Sequence, residues 1–264
     1  DRRVRERALS ELGHIGNPRC VEAVADCLDS DIASIRHEAA TTLGKINTRG
    51  AVDRLRPAAR RDDDDELRRI VFDELGTFPS SDVINTLTDG LRDDDPDIRH
   101  AAASSLMEMV AAADFEESHT IREEVAASID AIDDNIVPDF VTVFVETHRT
   151  TIRRNTAWLL GRIGDSRDEV VDQLLNALTD DDFRTAQVAA SSLARIGGRE
   201  IEDRLNEFIA DHPEGSGPHT RGEFVLTQIT DSEADVILKR TVEYIHVTKP
   251  EEYTQQKQAE TDSA

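Results

Sequence analysis

The 264-residue sequence predicts an all-α chain, an α-solenoid (superhelix) of about eight stacked helix–turn–helix repeats. Three observations carry this. First, one phrase recurs along the chain: VRERALSELGHIG at 4–16, IRHEAATTLGKI at 35–46, LRRIVFDELGTF at 67–78, IRHAAASSLMEM at 98–109, IREEVAASIDAI at 121–132 and IRRNTAWLLGRIG at 152–164. Weaker copies follow at 185–198 and 218–229. Second, the anchoring residues Leu12, Leu43, Leu75, Leu106, Ile129, Leu160, Leu193 and Leu226 are spaced by 31, 32, 31, 23, 31, 33 and 33, a period near 32 with one short interval. A fixed period of this size marks a repeat architecture. Third, the apolar residues of each copy fall at i, i+4, i+8 and i+11, as in Ile35, Ala39, Leu43 and Ile46, which is one face of a helix.

Each copy reads as the second helix of a pair. The chain opens in one, residues 2–15, which predicts a fragment of a longer solenoid or a first helix that needs another chain. First helices lie between copies, at 51–55, 83–87 and 170–175, each a short amphipathic stretch. Acid-rich turns at 62–65, 93–97 and 180–182 join the units. One pair cannot bury its apolar face alone; stacked pairs make a continuous core. Near 107–120 the spacing drops and Met107-Glu108-Met109-Val110 replaces the glycine positions, which predicts a bent or shortened repeat. The repeat domain is expected over 1–229. After the loop at 212–218, Leu238, Val242 and Ile245 at helical spacing predict a capping helix within 230–248, stopped by Lys249-Pro250. Residues 249–264 are polar and read as a disordered tail.

The xRxxAxxxLGxIG phrase with an Asp-rich turn before it resembles the short HEAT-like repeat of the phycobilin-lyase type. The resemblance covers about residues 2–229 and implies the solenoid fold.

Composition narrows function. There are 55 acidic and 31 basic residues and a formal net charge of −24, which argues against nucleic-acid or anionic-membrane binding. No apolar run approaches the roughly 20 residues of a membrane span. A cytoplasmic location is expected. The 32 Asp stand against 4 Lys among the cations, a balance suited to a salt-accumulating microbe such as a halophilic archaeon. Cys20 and Cys27, seven apart, fit neither a disulfide scaffold nor a zinc site and are expected as small core residues.

The recurring arginines Arg5, Arg36, Arg68, Arg99, Arg122 and Arg153 sit near helix starts beside the Asp turns, a position that predicts pairing between stacked repeats. The Asp runs lack the calcium-loop spacing and are expected to cap helices. His37-Glu38 is the one metal-ligand candidate. Its phrase is similar to that of deoxyhypusine hydroxylase, which would use several such pairs around two irons. Here one pair survives, and His100, two repeats away, stands roughly 20 Å off if stacked helices are 8–10 Å apart. No metal, cofactor or catalytic set is therefore expected. A bilin lyase-like, chromophore-handling role is the other enzymatic alternative and rests on the repeat phrase alone. The remaining reading is a non-enzymatic adaptor or scaffold whose concave face holds a partner protein of acidic or mixed surface, with a signalling or taxis assembly as an analogy. The outward positions of the last second helices supply Arg154, Trp158, Arg162, Gln187, Arg195, Arg221 and Phe224: four arginines, no acid, and two aromatics expected to be exposed. Arg and Trp are the side chains that dominate interface hot spots.

If the acid surplus is a salt adaptation, the melting temperature should rise markedly between low salt and molar KCl. An unchanged value in a thermal scan at both salts would remove that reading.

Overall fold

The computed structural model describes residues 1–61, 64–112, 115–132, 136–163 and 166–230, with fourteen α-helices and no strand among them. The capping helix and tail expected beyond 229 lie outside the described residues, apart from Thr230 at the end of the last helix. The chain divides after Ile163 into two compact units.

The first unit holds α1 (Arg2–Ile15), α2 (Val21–Ala25), α3 (Ala33–Ile46), α4 (Arg49–Leu55), α5 (Asp65–Leu75), α6 (Ser81–Gly90), α7 (Pro96–Ala112), α8 (Phe115–Asp130), α9 (Val137–Glu146) and α10 (Thr150–Ile163). Short 3-10 turns flank α2 and extend α4 through Arg56–Arg60. Helices α1, α3, α5, α7 and α9 pack in sequence as one layer, while α2 lies on α4 and α6 on α8 in another. The anchors Leu43, Leu75 and Leu106 are fully buried, each contributing about 1.5–3 kcal/mol of transfer free energy.

Local chemistry explains the phrase. Its closing glycine ends the helix: Gly16 takes φ +63° and its N–H returns to the Leu12 carbonyl, and in the second copy Asn47 does the same at φ +45°. Its first glycine permits close approach of neighbouring helices. A Cβ on Gly44 would overlap the Glu74 side chain of α5, and one on Gly76 would crowd Ser105 of α7. The Asp turns cap helix starts, as expected. Asp64 accepts from the Leu67 N–H, and Asp93 and Asp95 accept from the amides two residues on.

The recurring arginines tie one helix start to the next. Arg36 donates from Nη2 and Nε to Asp64 Oδ2 at 2.5 and 2.9 Å. Arg68 donates from Nη1 to Asp93 Oδ2, and Arg99 donates from Nε to Asp139 Oδ2 at 3.2 Å. That last pair shows that α9 takes the place beside α7. The fifth copy of the phrase, in α8, instead packs on α6 and α7. Helix α10 packs on α7 and α9 and also touches α8. The expectation that all copies follow one another as second helices is thus corrected at α8. Where the phrase has glycine, α7 carries Met107, whose fully buried side chain fills the room a close crossing needs.

The second unit holds α11 (Asp168–Ala177), α12 (Phe183–Ile196), α13 (Arg199–Ala210) and α14 (Gly217–Thr230). Here α12 packs on α14 and α11 on α13, with α11 against α12 and α13 against α14. Asp182 caps α12 through the Thr185 N–H, and Arg204 of α13 bridges to Asp168 and Asp172 of α11.

Asp64 serves both as a cap and as the counter-charge of a nearly buried arginine. Asp64→Ala should cost about 3 kcal/mol in urea unfolding, and Asp64→Asn about 1 kcal/mol less because the amide oxygen still caps α5.

Candidate functional site

The seven outward residues divide between the units: Arg154, Trp158 and Arg162 stand on α10, Gln187 and Arg195 on α12, and Arg221 and Phe224 on α14. Phe224 is exposed as expected, at 44% of its surface. Trp158 is not. Only 8% of it meets solvent, because α8 lies against this side of α10 and sets the Arg122 guanidinium over the indole, 5.6 Å from the ring centre. Asn155 beside it is 2% exposed and accepts from Arg122 Nη2 at 2.7 Å. Arg162 reaches the carboxylates of Glu123 and Asp130 on α8, at 3.6 and 3.7 Å. The charge expected on α10 is therefore largely answered within the unit. The neighbouring Arg122 feels burial first and Arg154 second, and both favour its loss of charge.

In the second unit the α12 and α14 residues remain open or half-open. Gln187, Ser191 and Arg195 follow one another at four-residue spacing on α12 and are half-buried. Arg221 donates from Nε to the Leu178 carbonyl at 2.7 Å, which fixes its stem. Phe183, at the start of α12, is 62% exposed and was not among the expected residues. Its signal was available: a large aromatic directly after the Asp180–Asp182 turn, where the corresponding turns lead into Ala33 and Pro96.

His37 and Glu38 are placed on α3. The His37 Nε2 stands 3.0 Å from Asp64 Oδ1, so its ring joins the Arg36–Asp64 lock. Among the described residues no group of three His, Cys, Asp or Glu side chains could hold a metal. Burial pushes the Asp64 carboxyl up, but the Leu67 amide, His37 and Arg36 outweigh it and hold it below the usual carboxylate range. Cys20 and Cys27 are half-buried free thiols rather than core residues. No described helix is long and apolar enough to cross a membrane.

One further group is displaced from ordinary titration. Glu74 leans over Gly44, and burial, with Asp73 and Glu108 nearby, raises its carboxyl to about 7 against the pull of Lys45 and Thr41. Burial also raises Asp73 beside it.

Two family models match the chain. That of HEAT repeats matches residues 1–73 and 52–114, and that of the PBS lyase HEAT-like repeat matches 152–180. The HEAT repeat-containing taxis protein of Halobacterium salinarum is 31% identical over 132 residues, 48% of this chain and 32% of the relative. The chain thus spans about a third of that relative's length. Among solved structures, an engineered protein aligns with 85% of this chain and 64% of its own at 16% identity and a TM-score of 0.47. Human deoxyhypusine hydroxylase in complex with glycerol aligns with 86% of this chain and 90% of its own at 17% identity and a TM-score of 0.35. The CpcE–CpcF complex of phycocyanin lyase from Nostoc aligns with 79% and 94% at 20% identity and 0.37. No activity follows for this chain from any of them.

Because the folded Glu74 carboxyl is pushed up to about 7 from its ordinary value of 4.5, its ionisation opposes folding. The stability linked to its protonated form is fully present below 4.5 and is lost as pH rises through 7. Glu74→Gln should remove that slope and, after allowance for solvent screening, stabilise the protein at pH 8 by about 1 kcal/mol. Urea titrations at pH 5 and pH 8 check this; equal slopes in both proteins would refute it.

Proposed function

From a chain built of HEAT repeats and PBS lyase HEAT-like repeats, we propose that this protein is a non-enzymatic scaffold that holds a partner protein in a signalling or taxis assembly. The observation that carries the reading is the pair of exposed aromatics, Phe183 and Phe224, on the adjacent helices α12 and α14. Large apolar side chains on a water-facing surface point to a contact with another molecule when polar side chains surround them. Gln187, Ser191, Arg195 and Gln228 are such neighbours on the two helices, together with Asp181, Asp182 and Glu223, which adjoin the two aromatics in sequence. A partner of acidic or mixed surface suits that composition. The kinship with a taxis protein of a halophilic archaeon supports the assembly and a salt-rich cytoplasmic setting. Of the seven residues expected on the binding face, Gln187, Arg195, Arg221 and Phe224 remain on this surface, joined by Phe183. Arg154, Trp158 and Arg162 stand on α10 and are not part of it; there Trp158 and Arg162 meet Arg122, Glu123 and Asp130 of α8.

Capture from a high-salt lysate of the source organism tests the scaffold. The wild type should retain a defined protein that Phe183→Ser/Phe224→Ser loses by at least about tenfold, with far-ultraviolet circular dichroism unchanged. Equal capture by both would sink this surface. A purified protein that carries pigment or metal would favour the chromophore-handling or hydroxylase alternative instead.

A further inference from the structure

Among the recurring arginines of the first unit, Arg122 meets partners of a different kind from those of Arg36, Arg68 and Arg99. Arg36, Arg68 and Arg99 each meet a carboxylate of a following turn or helix. Arg122 meets the amide of Asn155 and the face of Trp158. Its Nε, like those of Arg68 and Arg153, is buried without a hydrogen-bond partner, while Nη1 donates to none of the described residues and is not among the buried unpartnered atoms. Two acids of its own helix, Glu123 and Asp130, turn to Arg162 instead. Arg154 stands near enough to add a second positive charge. The result is a half-buried guanidinium that is oriented and stacked but, among the described residues, has no anion.

We propose, on the footing of the scaffold reading, that the Arg122–Trp158 pair is a socket for a carboxylate of the partner protein, an Asp or Glu side chain. A guanidinium presents its donors in a planar fork matched to two carboxylate oxygens, and an aromatic face behind it holds that plane. Asn155 accepts one donor and fixes the remaining open edge, where an incoming carboxylate would bind. Such an acid would supply at Arg122 what Asp64, Asp93 and Asp139 supply at Arg36, Arg68 and Arg99. A neutral or cationic side chain would leave the buried charge uncompensated and is rejected by the same geometry.

Trp158 is the only tryptophan of the chain, so its fluorescence reports on the guanidinium above it. At constant high ionic strength, replacing chloride by acetate should change wild-type emission saturably, with a midpoint on the order of 0.1 M. N-acetylated tetraglutamate amide should act at lower concentration, and the tetraglutamine counterpart should not act. Arg122→Gln should be flat, and Arg122→Lys, which keeps charge but not the fork, should weaken the response about tenfold. Circular dichroism confirms folding; if Arg122→Gln loses helicity, the comparison of wild type with Arg122→Lys decides. A flat wild-type response, an unchanged response in Arg122→Lys or Arg122→Gln, or an equal response to phosphate would overturn the socket. The titration needs no partner, so its failure is separate from a failure of capture.

Discussion

The first unit depends on one directional contact, the guanidinium at the start of one helix of the α3, α5, α7 and α9 layer held by a carboxylate at the start of the next. Apolar stripes of Leu, Ile and Ala pack almost as well one turn up or down a neighbouring helix. The Arg36–Asp64, Arg68–Asp93 and Arg99–Asp139 pairs do not tolerate that shift. Asp64 shows why the contact is economical. One carboxylate satisfies an orphan amide at a helix start, where the dipole already favours negative charge, and also neutralises a nearly buried cation. The desolvation of such a pair largely offsets its Coulomb attraction, so its main effect is to fix the alignment of neighbouring helices.

Fixed alignment is what makes the glycines useful. With the helices of that layer held in parallel register, Gly44 and Gly76 face Glu74 and Ser105 at a distance that leaves no room for a Cβ. The close approach at Gly44 partly removes the Glu74 carboxyl from water, and its elevated titration is the electrostatic trace of that packing. At Met107 the device is missing, and the helices that follow are arranged differently. A single substitution of the glycine type by a long side chain thus coincides with the end of the simple series.

Much of this was legible in the residues. The i, i+4, i+8, i+11 spacing placed α3, α5, α7, α10 and α12 and named anchors that are fully buried, and the Asp turns and phrase arginines announced their pairing. What the pattern could not decide was the layer to which a helix belongs. An amphipathic helix carries the same stripe whether it is first or second of its pair, so IREEVAASIDAI looked like another copy while α8 packs on α6 and α7. The misplacement of Trp158 follows directly, since its exposure depended on where α8 lay. The irregular interval of 23 residues before Ile129 was the available warning.

The salt adaptation expected from the acid surplus would give the proposed surfaces a common logic. At molar ionic strength the screening length is about 3 Å, so a surplus of acid exerts little steering force and recognition must be made by contact. Exposed aromatics serve there, because burial of apolar surface does not depend on charge, as do stacked or forked arginines that act within van der Waals reach. In the proposed partner surfaces, Phe183 and Phe224 are of the first kind and Arg122 over Trp158 of the second. The 24 unbalanced acids then have a different task, keeping the rest of the surface hydrated and unattached.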